Sequence, residues 1–149
     1  MASNVLVMNE GRIMQIDWPE QLYEKPTSLF LAGFVGSPPM NFIDITYEEK
    51  DGTASINAGE FHYDVTPLKQ YLEAHKNSSL VMGVRPEYIS VGKSRSTANA
   101  INGKVELLEP LMFKANIRPA AMGVGDNVWA SFDPKKMLFF EKSSGKAIV

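Results

Sequence analysis

The chain has 149 residues, 44% of them hydrophobic and 21% charged, which is enough apolar material for one core and a short appendage. A formal net charge of -2 provides no basic field for phosphate backbones or anionic lipid. The lack of cysteine rules out disulfides, thiolate metal sites and cysteine nucleophiles. No apolar run approaches the roughly 20 residues of a spanning helix, so direct membrane insertion is not expected. Met1-Ala2-Ser3-Asn4 lacks the basic and apolar parts of a signal peptide and reads as a start grafted onto an internal segment.

Val5-Leu6-Val7-Met8, the turn residues Asn9-Glu10-Gly11 and the alternating Arg12 to Ile16 predict a β-hairpin. Asp17 is placed to cap a following helix with Pro19 in its first turn, and Pro26 ends it. Phe30, Leu31 and Phe34 recur at helical spacing between Thr27 and Val35 before Gly36-Ser37-Pro38-Pro39 stops the pattern. A hairpin with short helices is too small to bury itself, so residues 1–36 form one unit that needs a larger body, and 37–149 form the second.

From Met40 onward strands dominate: Phe42 to Tyr47, Thr53 to Asn57 after the Asp51-Gly52 turn, and Phe61 to Val65. Thr66-Pro67 opens one helix, with Leu68, Tyr71, Leu72 and His75 as a narrow apolar face that caps or plugs a barrel. Ser79 to Val84 reads as a strand broken by Arg85-Pro86-Glu87, followed by strands from Tyr88 to Val91, Ile101 to Leu108, Val128 to Phe132 and Met137 to Phe140. The expected fold class is mainly β, a small barrel with one or a few short helices, an N-terminal β-hairpin and a helical linker.

Chemistry is sparse along this chain. Gly103-Lys104 runs into Val105 and Glu106, without the glycine-rich approach or hydroxyl ligand of a phosphate loop. His62 and His75 lack the close pairing of metal ligands, and Ser94, Ser96 and Thr97 have no histidine near them in sequence to act as base. Glu48, Glu49 and Asp51 cluster beside a turn and read as solvated. Asn77-Ser78-Ser79 matches a glycosylation acceptor but reads as a helix end. Phe113, Lys114, Arg118 and Trp129 form the one combination that evokes a single-strand stacking surface, which the acidic balance opposes. No catalytic, cofactor-binding or metal-ligating residue is assigned.

Three segments together resemble the sugar-importer ATPase family of ABC transporters, whose subunits end in a small barrel called the transport-associated OB domain. Val5 to Gly36 is similar to the last hairpin and helices of the family's nucleotide-binding domain, with Asp17-Trp18-Pro19 where the family has Gly-Thr-Pro. Gly36-Ser37-Pro38-Pro39-Met40-Asn41-Phe42 resembles the joint to the barrel, and Gly83-Val84-Arg85-Pro86-Glu87 its most recognisable signature. Gly125 to Trp129, Phe132-Asp133-Pro134 and Phe139-Phe140 resemble the closing strands. After Glu109-Pro110-Leu111 the family continues with a glycine and a further strand pair. Here Met112 to Arg118 follows directly, so about one hairpin is missing.

The signature residues Gly36, Ser37, Pro38, Pro39, Met40, Asn41, Gly83, Arg85, Pro86, Glu87, Asp133 and Pro134 are expected to serve folding, with Arg85 and Glu87 pairing across the proline break. The resemblance implies a non-catalytic accessory domain of a cytoplasmic subunit, peripheral to the inner membrane. Its parent subunit would use ATP and magnesium, and its partners would be ATPase and membrane subunits of the transporter or a regulatory protein. An unclosed barrel would expose a strand edge, from which self-association is expected. The rival readings are a small-ligand sensor for a sugar or oxyanion, and an OB-type nucleic-acid binder.

Overall fold

A computed structural model describes residues 3–59, 61–97, 99–105 and 122–149. The N-terminal hairpin forms as expected from β1 (Val5–Asn9) and β2 (Arg12–Asp17). Glu10 and Gly11 both take positive φ, 49° and 77°, the primed turn whose twist matches that of paired strands. The pairing shifts register between Val7 and Met8.

Helix α1 (Pro19–Glu24) corrects one expectation, because its cap is Trp18 and not Asp17. Strand β2 runs through Asp17, and Pro19 sits at the start of the helix. The Asp17 carboxylate therefore lies one position too early: it accepts the Trp18 N–H at 2.9 Å and the Gln15 side-chain amide at 3.4 Å, and caps no N–H of the helix. Helix α2 (Leu29–Phe34) is capped by Ser28, whose Oγ accepts from the Leu31 N–H.

The barrel is built from two sheets. The larger has the order β10 (Leu138–Glu141), β6 (Ser79–Val84), β3 (Asn41–Lys50), β4 (Thr53–Ala58), β5 (Phe61–Asp64), antiparallel throughout. The smaller has the order β7 (Ile89–Gly92), β9 (Asn127–Phe132), β8 (Ile101–Lys104). Period-two alternation sends Ile45, Tyr47, Ile56, Leu80, Met82, Val84 and Phe139 inward, where they meet Ile89 and Phe132 of the smaller sheet in one apolar cluster. Each such fully buried aliphatic or aromatic side chain contributes about 1.5–3 kcal/mol. The sheets are also tied by a side chain: the Tyr63 hydroxyl donates to the Phe132 carbonyl at 2.6 Å.

The helix expected after Thr66-Pro67 is a composite of α3 (Lys69–Leu72) between single 3-10 turns, Thr66–Leu68 and Glu73–His75. Only Leu68 and Leu72 enter the core. Tyr71 is 46% exposed, and His75 faces Glu141 at 3.4 Å. Three residues per turn in the flanking segments rotate Tyr71 and His75 away from the line that unbroken α-helical winding would draw.

Helix α2 lies between two small apolar clusters. Leu31 packs with Val7 and Leu22 under the hairpin, while its neighbour Ala32 packs with Met40, Val81 and Phe140 on the outer face of the larger sheet. The chain's last residues add to this seam: Ala147 N–H donates to the Thr27 carbonyl, and Leu29 N–H to that of Gly145. The later part of the strand expected over Ile101 to Leu108, the shortened segment after Leu111, and Phe113, Lys114 and Arg118 lie outside the described residues.

Candidate functional site

Most of the signature residues meet at one place, the joint between the hairpin-and-helix segment and the barrel. Arg85 follows the last residue of β6 and precedes Pro86. A pre-proline residue is driven to extended geometry, and Arg85 adopts φ -77°, ψ 145°. This aims its side chain out of the barrel and across the joint. The guanidinium donates from Nη1 to the Val35 carbonyl at 2.8 Å and from Nη2 to the Tyr23 carbonyl at 2.6 Å, with Nε 3.3 Å from the latter. It lies 3.6 Å over the Tyr23 ring and is 2% exposed. One cation from the barrel thus satisfies carbonyls near the C-terminal ends of both α1 and α2, where helical partners run out.

Glycine is required around it for two different reasons. Gly36 holds φ 114°, and a Cβ there would sit 2.7 Å from Arg85 Nη1. Gly83 points to the outer face of the sheet, where a Cβ would stand 2.5 Å from Met40 Sδ and 3.2 Å from the Phe140 ring. Its absence lets the linker lie flat on the strand. Asn41 is buried and donates from Nδ2 to the Val84 carbonyl at 3.1 Å, pinning the linker beside Arg85. Ser37, Pro38 and Pro39 are exposed, and the Ser37–Pro38 peptide is cis.

The expected pairing of Arg85 with Glu87 is not what forms among the described residues. Pro86 starts a 3-10 turn, Pro86–Tyr88, which carries Glu87 round to the far end of Tyr23, where it accepts from the phenol. Tyr23 thus stands between the two charges, its ring under the cation and its hydroxyl on the anion. A second bridge runs alongside: the Tyr88 hydroxyl donates to Glu24 Oε1 at 2.5 Å, and Lys136 Nζ to Glu24 Oε2 at 3.1 Å. The Tyr88 hydroxyl and then Lys136 hold the Glu24 carboxyl below its usual range, while Glu24 pushes the Lys136 ammonium up. Burial, reinforced by the bond to Glu87, pushes the Tyr23 phenol up to about 12, so it stays a donor at neutral pH. The arrangement has the chemistry of a clamp.

Asp133 and Pro134 lie elsewhere, at the end of β9, where Asp133 Oδ1 accepts the Lys135 N–H and starts a 3-10 turn. They line a cleft of about 420 Å³ with Ser90, Thr97, Asn99 and Ser131. His62 contacts Asn57, and Trp129 carries Arg95 over its ring at 5.4 Å. Reading the sequence missed Tyr23, Glu24, Tyr88 and Lys136. Nothing local marks them, since Glu24 and Lys136 are 112 positions apart.

Residues 36–89 match the family model described as the MalK OB fold domain. The chain is 31% identical, over 99% of its own length and 45% of the relative's, to the trehalose/maltose import ATP-binding protein MalK of Thermococcus litoralis. It is 34% identical to the sn-glycerol-3-phosphate import ATP-binding protein UgpC of Bordetella avium, over 74% of this chain and 28% of that one. It is 27% identical to the uncharacterized ABC transporter ATP-binding protein YurJ of Bacillus subtilis, over 99% and 46%. The chain therefore spans less than half the length of these curated relatives. The alignment with the Thermococcus protein covers 169 positions, more than the chain contains, which requires gaps in this chain. Residues 36–89, which supply the Arg85 clamp and its two glycines, match a MalK-type OB-fold domain, and the chain carrying them is similar along its length to part of the ATP-binding subunits of ABC importers.

Proposed function

We propose that this chain is a non-catalytic accessory unit of an importer ATP-binding subunit for carbohydrate-type solutes, and that it acts by binding protein. Residues 1–36 are read as the end of a nucleotide-binding domain and residues 37–149 as the accessory barrel. The observation that carries this reading is the joint: Arg85 of the barrel is buried on carbonyls at the ends of α1 and α2. A barrel fixed in this way turns with the segment it is mounted on, so that contacts made by either are felt by the other. The hairpin's outer face agrees with a further body, since Leu6 pairs with Ile16 and Met8 with Ile13, and all four, like Trp18, are about half exposed.

On this reading ATP and magnesium belong to the parent subunit, which works in the cytoplasm against membrane subunits. The partner of the barrel is a second copy or a regulatory protein. Among the described residues no helix is long and apolar enough to cross a membrane. The test is light scattering of the purified chain across a concentration series, with ATP turnover measured in parallel. A concentration-dependent dimer without turnover is expected. ATP cleavage by these residues, or salt-sensitive binding of a labelled single-stranded DNA, refutes the reading. A second reading, small-ligand sensing, is favoured by the polar cleft beside Asp133.

A further inference from the structure

We infer that the cleft beside Asp133 is a binding site for a neutral polyhydroxyl molecule, a sugar of one or two rings. The inference rests on the small-ligand reading and supplies its ligand class. The cleft measures about 420 Å³, within the range of roughly 300–1,000 Å³ common for small-molecule sites. It opens where the two sheets meet: Ser90 comes from β7, Ser131 from β9, Asp133 from the turn after it, and Thr97 and Asn99 from the loop before β8.

The lining decides the ligand. Three hydroxyls and an amide both donate and accept, as the hydroxyls of a sugar do. The side chains of Ser90, Thr97 and Asn99 make no hydrogen bond to other described residues, which leaves them available to a ligand. Among the described residues no lysine or arginine lines the cleft, and the one charge among them is the Asp133 carboxylate, a hydrogen-bond acceptor that repels an anion. Sulfate- or phosphate-like oxyanions are therefore disfavoured. The Tyr63 hydroxyl is engaged with the Phe132 carbonyl, and the two rings close the back of the cleft edge to face at 5.5 Å. Because Tyr63 stitches the two sheets at this point, a ligand here would stiffen the seam of the barrel.

The experiment is titration calorimetry of the intact chain with glucose, maltose, sodium sulfate and sodium phosphate, repeated on Asn99→Ala and Thr97→Val. Both substitutions fall on the loop, and unchanged circular dichroism melting shows that they preserve the fold. Saturable heat with glucose or maltose is expected, weakened about tenfold in each variant, the loss of one well-placed hydrogen bond. Saturation by sulfate or phosphate alone would overturn the neutral-sugar assignment while leaving small-ligand sensing in place. No saturation by any of the four would overturn both. Sugar binding that ignores both substitutions would remove the site from this cleft.

Discussion

Replacing Arg85 by alanine tests the joint most directly. The side chain makes three charge-assisted hydrogen bonds, one to the Val35 carbonyl and two, one of them long at 3.3 Å, to the Tyr23 carbonyl, and stacks on the Tyr23 ring, all at a position 2% exposed. A hydrogen bond to a charged group contributes about 1.5–3 kcal/mol net, and a desolvated cation–π contact about 2 kcal/mol. Water entering the space left by truncation recovers part of this, so the expected loss is about 3–5 kcal/mol. That is a large share of the roughly 5–15 kcal/mol that holds a domain together. The assay is urea unfolding followed by far-ultraviolet dichroism and by tryptophan fluorescence, which reports Trp18 near the hairpin and Trp129 in the barrel. In Arg85→Ala the Trp18 signal should melt earlier than the Trp129 signal, because the joint and not the barrel core has been cut. Arg85→Lys should recover little, since an ammonium cannot reach both carbonyls with a planar fork. Gly36→Ala adds a cross-check: part of its cost is the clash with Nη1, so the two substitutions should be less than additive. A loss below about 1 kcal/mol in Arg85→Ala, with coincident transitions, would refute the claim that this residue holds the segments together.

Two further outcomes follow from the same contacts. Tyr63→Phe leaves the Phe132 carbonyl without its 2.6 Å donor at the seam of the sheets and should cost about 1–3 kcal/mol by urea midpoint, with little change in dichroism. Glu24 has a folded-state carboxyl held below its unfolded range by Tyr88 and Lys136, so its contribution is present above the unfolded value and is lost as pH falls through the folded one. Urea midpoints measured from pH 6 to pH 2 should therefore fall less steeply in Glu24→Gln than in the parent, with the curves converging at the acid end.

The strands were legible because their cause is local. Alternation from Phe42 to Tyr47, the Asp51-Gly52 and Glu10-Gly11 turns, and the proline after Arg85 all act over a few residues, and each element appears where those residues place it. Errors arose where a local rule met a neighbouring element. Asp17 is a good capping residue, yet β2 runs through it and Pro19 assigns the cap to Trp18. Tyr71 and His75 fit a helical stripe, yet 3-10 winding on either side turns them outward. Glu87 has the charge to pair with Arg85, yet the turn after Pro86 delivers it to the Tyr23 hydroxyl.

Composition, alternation and turn chemistry by themselves determined a mainly β chain with a hairpin, short helices and a strand broken at Arg85-Pro86-Glu87, while the signature at Gly83 to Glu87 rested on the family resemblance. They also left no recognisable phosphate loop or metal cluster in the sequence. Only the tertiary structure decided that Arg85 serves as a buried clamp, that Gly36 and Gly83 are bare to admit a guanidinium and a methionine, and that five polar side chains from different segments line one cleft. The physical reason is range. Backbone preferences and periodicity are set by immediate neighbours, whereas a guanidinium's partners are chosen by which carbonyls the packed core carries within 3 Å of it, here 50 and 62 residues away.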